Sequence, residues 1–323
     1  MSLYYPPDPN LWSGRADSLP DERFFQRIQT VNLQQQTLPP IQGKAIALLG
    51  FCCDTGIKRN VGRMGAAAGP AGLRTALGKL PLHHATKIYD VGDVICNDNL
   101  ALSQTELATT VTDLLNHQLQ PIIMGGGHEI AWGHYQGIRK KYSDQHIGII
   151  NFDAHFDLRP VLSDGEGSSG TPFLQIANHS QQHQLNFDYC VVGLQANANT
   201  RSLFNTAKDL NVSMINALTL QTDPNTAHTK VKEFIAQQQL IYLTVCMDVF
   251  SAAIAPGVSA PQSLGLFPHH LLPLLQLIMR SGKVISADVA ELSPAYDRDN
   301  MTANLAAQCV AEIIEHWAVP TFK

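Results

Sequence analysis

Short runs of uninterrupted apolar residues recur along the chain, and longer amphipathic stretches follow most of them. The runs Ala45–Phe51, Ile88–Val91, Pro121–Met124, Ile147–Phe152, Tyr189–Val192, Val212–Ile215, Ile241–Val249 and Val284–Val289 predict strands. Several are bare Ile, Val and Leu rather than alternating, as expected of strands covered on both faces. Helices are predicted at roughly 70–80, 101–118, 130–141, 199–209, 226–239, 268–281 and 302–317. Strand and helix in alternation make an α/β protein, with a mostly parallel eight-stranded sheet between two helical layers. Connections this short belong to one domain. The polar, Gln-rich stretch Asn32–Pro40 sets off an N-terminal arm (1–40) from that domain (41–323).

Composition narrows the function classes. A hydrophobic share of 45% against 15% charged residues suits a large buried core. A formal net charge of −5 gives no reason to expect nucleic acid as a partner. No segment approaches the roughly 18 apolar residues of a membrane span. Met1–Pro7 has no basic region followed by an apolar run, so no secretory leader is read there. The expectation is a cytoplasmic protein that acts on a small molecule, without nucleic-acid or membrane partners. The six cysteines show no CxxC and no regular spacing, which argues against a disulfide framework or zinc ribbon.

Three segments place chemistry where apolar strands end, the edge at which doubly wound sheets bind ligands. The first is Gly125-Gly126-Gly127-His128, without the Lys-Ser/Thr of a phosphate loop. The second is Asp153-Ala154-His155-Phe156-Asp157, whose i, i+2, i+4 spacing puts three ligand-type side chains on one face of an extended backbone. Carboxylates and an imidazole at a buried strand end call for a balancing cation, and a divalent metal suits those donors. The third is Cys246-Met247-Asp248, again i, i+2 on an apolar strand. Six donors are too many for one tetrahedral ion and about right for two, which can hold a hydroxide nucleophile between them. The residues themselves thus point to a binuclear metallohydrolase.

GGGH, DAHFD, TVCMD and the later DVAELSP (Asp288–Pro294) resemble, in order, the signature segments of the ureohydrolase family of arginases, agmatinases and formimidoylglutamases. Gly69-Pro70 with Arg74, and Ala255-Pro256-Gly257, extend the resemblance over most of the chain. It implies a three-layer α/β/α sandwich, two manganese ions per subunit and a homo-oligomer. By position, His128 and Asp157 would bind one ion, His155 and Asp248 the other, and Asp153 would bridge. Cys246 stands where arginases and agmatinases have a second bridging aspartate; its thiolate is softer than manganese prefers.

The resemblance also speaks about substrate. Ser169 stands where arginases and agmatinases carry a proton-relay His, which counts against arginine and agmatine. Arg159 replaces a neutral residue two places after Asp157, and its fork suits a carboxylate. Arg63 is a second candidate clamp, and Asn60 in the same segment a further substrate contact. Glu291 takes the family's cation-binding position, and Asp157 is left to carry a proton to the departing amine. Together these look like the formimidoylglutamase branch, which releases glutamate and formamide from N-formimidoyl-L-glutamate. The competing expectations are a hydrolase of a guanidino acid or agmatine, and a decayed relative retained for binding.

Overall fold

The computed structural model describes residues 3–38 and 43–318. Ten strands form one sheet: β1 (Tyr4–Tyr5), β2 (Ile28–Thr30), β3 (Ala45–Cys52), β4 (Lys87–Ile95), β5 (Leu119–Gly125), β6 (Ile147–Phe152), β7 (Asp188–Leu194), β8 (Ser213–Asn216), β9 (Leu240–Cys246) and β10 (Val284–Ala290). Their order is β1-β4-β3-β5-β10-β9-β6-β7-β8, with β2 also paired to β4, and every pairing except β1 with β4 is parallel. The helices are α1 (Phe24–Arg27), α2 (Thr55–Arg59), α3 (Gly69–Gly78), α4 (Leu100–Asn116), α5 (Ile130–Lys141), α6 (Pro172–Gln182), α7 (Arg201–Asp209), α8 (Ala217–Thr222), α9 (Pro224–Gln237), α10 (Pro268–Arg280) and α11 (Met301–Ala318).

Strand β3 shows why its sequence is a bare apolar run. Ile46 and Leu48 enter the core shared with α3, α9, α10 and α11, whereas Ala47, Leu49 and Phe51 enter the opposite core with α4, α5 and α6. Side chains alternate between two dry faces, so neither face leaves room for a polar residue. The eight predicted runs are all strands, and the three-layer α/β sandwich is the observed architecture. Two short strands, β1 and β2, come from the N-terminal segment and raise the count from eight to ten. The run Ile241–Val249 ends as a strand at Cys246, and Met247–Val249 form a single 3-10 turn. Pro39 and Pro40 of the polar stretch lie outside the described residues. No helix among those described is long and apolar enough to cross a membrane.

A buried ionic cluster pins the N-terminal segment to the sheet. The Arg74 guanidinium on α3 grips both oxygens of Asp90 at 2.9 Å and donates to Asp93 at 2.7 Å. Trp12 adds its indole N–H to Asp90 at 2.7 Å. Gly50 makes the space: a Cβ there would lie 1.7 Å from Asp93 Oδ1. Removing the cation from such a site leaves carboxylates buried without compensation. Arg74→Met is therefore expected to cost about 3–5 kcal/mol of stability, read from urea unfolding. A loss below about 1 kcal/mol, the value of an exposed pair, would mean the cluster is better solvated than its geometry implies.

Candidate metal centre

The site forms where the C-terminal ends of four adjacent strands, β5, β10, β9 and β6, open onto one cleft. After β5, the glycines let the chain press against the loop that follows β3. A Cβ on Gly126 would sit 1.7 Å from the Cys53 carbonyl oxygen, and one on Gly127 2.1 Å from Glu129 Oε2. That close approach turns His128 into the cleft. After β6 the backbone leaves the strand at Phe152, so Asp153, His155 and Asp157 converge from a loop rather than along one strand face. Asp157 takes a left-handed φ of 48°, and Asn199 fixes the loop by bonding Ala154 O and Phe156 N–H. The turn after β9 carries Asp248, and Glu291 follows β10 at a φ of 72°.

The expected donors meet. Asp153 turns one oxygen to each imidazole: Oδ2 lies 2.9 Å from His128 Nδ1, and Oδ1 lies 3.4 Å from His155 Nδ1. Asp157 Oδ2 is also 2.9 Å from His128 Nδ1, and Asp248 Oδ2 is 3.1 Å from His155 Nδ1. Donor atoms of His128, Asp153 and Cys246 lie within 4.8 Å of one another, as do those of Asp153, His155 and Asp248. Two three-donor groups thus share Asp153, and Cys246 belongs to the His128 side.

Electrostatics say what this arrangement lacks. Burial opposes charge on Asp153, but the hydrogen bonds and charges of His128 and His155 keep its pKa below the usual carboxylate value. Burial and the charge of Asp153 push Asp157 up to about 6. Burial and the nearby Asp248 push Glu291 up to about 7. The Cys246 thiol is raised by burial and then by the surrounding carboxylates, above all Asp153 and Asp248. Desolvation would strip His128 and His155 of protons, yet the carboxylates raise both well above the ordinary imidazole value. The site calls for positive charge at the two Nδ1 atoms, and a proton or a metal ion can supply it. Asp248 Oδ1 is buried and without a hydrogen-bond partner among the described residues, and His128 Nδ1 faces two carboxylate oxygens at 2.9 Å that a single hydrogen cannot serve. Buried polar atoms left in that condition are rare unless a ligand completes them. The donor set therefore fits a pair of divalent ions.

The sequence profile of the Arginase family matches residues 44–315. The chain belongs to the arginase family. Over 98% of both chains it is 46% identical to a formimidoylglutamase of Legionella pneumophila. A formimidoylglutamase of Clostridium tetani is 42% identical over 97% of this chain and 96% of its own. Among solved structures, a Trypanosoma cruzi formiminoglutamase crystallised with Mn2+ superposes with a TM-score of 0.78 at 24% identity, covering 85% of this chain and 94% of its own. At that identity the likeness speaks for the shared arginase fold.

Against this arginase-family frame the substrate candidates separate. Asn60, Arg159, Ser169 and Glu291 all line a cleft of about 290 Å³ together with His128, His155, Asp157, Cys246 and Asp248. Asn60 Nδ2 donates to Ser169 Oγ at 3.2 Å. Gly170 gives both room, since a Cβ there would lie 2.9 Å from Arg159 Cδ and 3.1 Å from Asn60 Nδ2. Arg63 is a correction. Its guanidinium donates to the carbonyls of Ser259, Pro256 and Val258 and covers the Tyr296 ring at 4.2 Å. Those carbonyls and the ring occupy the group, and it does not line the cleft; Arg63 braces the 256–259 loop rather than clamping substrate. Arg59 is likewise occupied, by Asp164 and the Gly167 carbonyl.

Glu129 was not singled out from the sequence, although it follows His128 directly. It is 1% exposed, and burial together with the charge of Glu291 pushes its pKa up to about 8. Its Oε1 accepts the Gly56 N–H at 2.8 Å, while the Gly56 carbonyl accepts the Ser169 N–H at 3.0 Å. Glu129 thus ties α2, and with it Asn60 and Ser169, to the His128 turn.

Proposed function

We propose that this chain hydrolyses N-formimidoyl-L-glutamate to L-glutamate and formamide, with two manganese ions held in the centre just described. The observation that carries the reading is the pairing of opposite groups across one small cleft. Arg159 is exposed at the rim and has no carboxylate partner among the described residues, whereas Glu291 is buried with Oε2 unpartnered. A substrate with an amidinium at one end and a carboxylate at the other satisfies both. The name shared by the relatives at 40–46% identity supports the same assignment.

His128, Asp157 and Cys246 would hold one ion, His155 and Asp248 the other, and Asp153 both. Bound there, the ions would activate a water for attack and polarise the formimidoyl group. The protein's own residues do the rest. Arg159 fixes a substrate carboxylate in its planar fork and sets how deeply the molecule enters. Glu291 Oε1 is held by the His128 N–H at 3.0 Å, which leaves Oε2 to accept from the amidinium nitrogens. The bond that breaks joins the formimidoyl carbon to the glutamate nitrogen, and the leaving amine needs a proton. With Ser169 in place of an imidazole, Asp157, which lines the same cleft, is the carboxyl left to pass a proton to the departing amine.

The test is turnover of N-formimidoyl-L-glutamate by manganese-loaded protein beside arginine, agmatine and 4-guanidinobutyrate, with formamide, ammonia and urea all followed. Formamide and glutamate from the first compound alone are expected. Urea from 4-guanidinobutyrate would overturn the substrate and favour a guanidino-acid hydrolase, which would use Arg159 in the same way. Protein that purifies and stays free of metal would point instead to a decayed site.

A further inference from the structure

Behind His128, on the side away from the cleft, lies a buried hydrogen-bonded chain that the reaction itself does not use. His128 Nε2 is 3.0 Å from Thr244 Oγ1, and that hydroxyl donates to Asp288 Oδ1 at 2.5 Å. The second Asp288 oxygen accepts from Tyr242 OH at 2.5 Å and faces His134 Nδ1 at 2.6 Å. His134 Nε2 in turn meets Ser286 Oγ at 2.6 Å, and Ser286 donates to the Pro121 carbonyl at 3.1 Å. Thr244, Asp288, His134 and Ser286 are all 0% exposed.

Proton counting along this chain has one solution at Thr244. A hydroxyl carries a single hydrogen, and this one lies on Asp288. Toward His128 the Thr244 oxygen can then only accept, so His128 Nε2 must carry its hydrogen. That leaves Nδ1 as the atom facing Asp153 and Asp157, both at 2.9 Å. We propose that Thr244 and Asp288, with Asp288 clamped by Tyr242 and His134, form a positioning relay that fixes the tautomer and ring orientation of His128 for its metal ion. The inference rests on the metal-centre reading above and deepens it.

The second imidazole has no such backing. Among the described residues His155 Nε2 meets only the half-buried amide of Gln262, at 3.3 Å, and the His155 side chain is 22% exposed. A carboxylate reached through a buried hydroxyl raises the donor strength of a ligating imidazole more than a wet amide does, and outer partners of this kind change metal affinity by about 10–100-fold. The two ions should therefore respond differently when the relay is cut, with the loss confined to the His128 side.

Thr244→Val removes the hydroxyl at nearly constant volume, and Thr244→Ser keeps it. The experiment titrates Mn2+ into the full-length metal-stripped protein by calorimetry and follows the electron paramagnetic resonance spectrum. Wild type is expected to take up two ions and show the signature of a spin-coupled pair. Thr244→Val should keep one affinity near wild type and lose about 10–100-fold in the other, with an isolated-ion spectrum at one equivalent. Thr244→Ser should restore both ions. Asp288→Asn, which retains the shape of the site, should fall on the Thr244→Val side. Two affinities unchanged within about threefold in Thr244→Val would overturn the relay, as would equal weakening of both sites, which marks a general packing defect. Wild-type protein that binds no manganese would instead overturn the metal centre itself, and the relay with it.

Discussion

Asp153→Asn is expected to leave a folded protein that holds no stable metal pair and shows no measurable turnover. Asp153 is the one side chain shared by both donor groups, and each of its oxygens faces a different imidazole. An asparagine of the same shape supplies one oxygen and one amide. The amide hydrogens would then point at one of the two Nδ1 atoms, in the place where an ion should sit. Charge is lost as well, because Asp153 is the carboxylate whose pKa the two imidazoles keep low. Metal contributes several kcal/mol of transition-state stabilisation in hydrolases of this kind, so the fall in rate should be roughly 10³-fold or more. Metal content by mass spectrometry and circular dichroism make the outcome unambiguous. Activity above that level, or two ions retained per chain, would show that Asp153 is not the bridge.

Much of this was readable in the sequence, for physical reasons. The strands were legible because a sheet covered on both faces leaves no polar alternation, and Ile147–Phe152 and Ala45–Phe51 show that in their composition alone. The candidate metal donors were legible because each set lies within five residues at the end of such a run. Short elements were not. β1 and β2 have two and three residues, too few for any period, and their place is set by pairing with β4. Helix α6 does carry apolar positions at Phe173, Ile176 and Ala177, but its start falls in Ser-Gly-Thr-Pro-Phe, which reads as a site loop.

What could not be read was the layer around the donors. Glu129 finds Gly56 across 73 positions and Thr244 finds Asp288 across 44. Neither pairing leaves a local spacing. Arg63 illustrates the opposite error. A lone cation near a site suggests a clamp, and only the fold reveals that carbonyls almost 200 residues away have taken it.

Glu291→Gln separates binding of the substrate from binding of metal. Glu291 does not belong to either three-donor group, yet it lines the same cleft. Glutamine keeps the packing and an oxygen for the His128 N–H, so the turn that presents His128 should survive. What it loses is the negative charge opposite the amidinium. Hydrogen bonds to charged groups contribute about 1.5–3 kcal/mol, which converts to a fall of roughly 10- to 150-fold in kcat/KM. Metal content should stay at the wild-type level. If the charge on the formimidoyl group grows along the reaction path, the loss will appear in kcat; if Glu291 only captures the cation, it will appear in KM. Loss of metal with the substitution would place Glu291 among the ligands. An unchanged kcat/KM would leave Oε2 without the role its unpartnered, buried position implies, and the amidinium would have to be held elsewhere in the cleft.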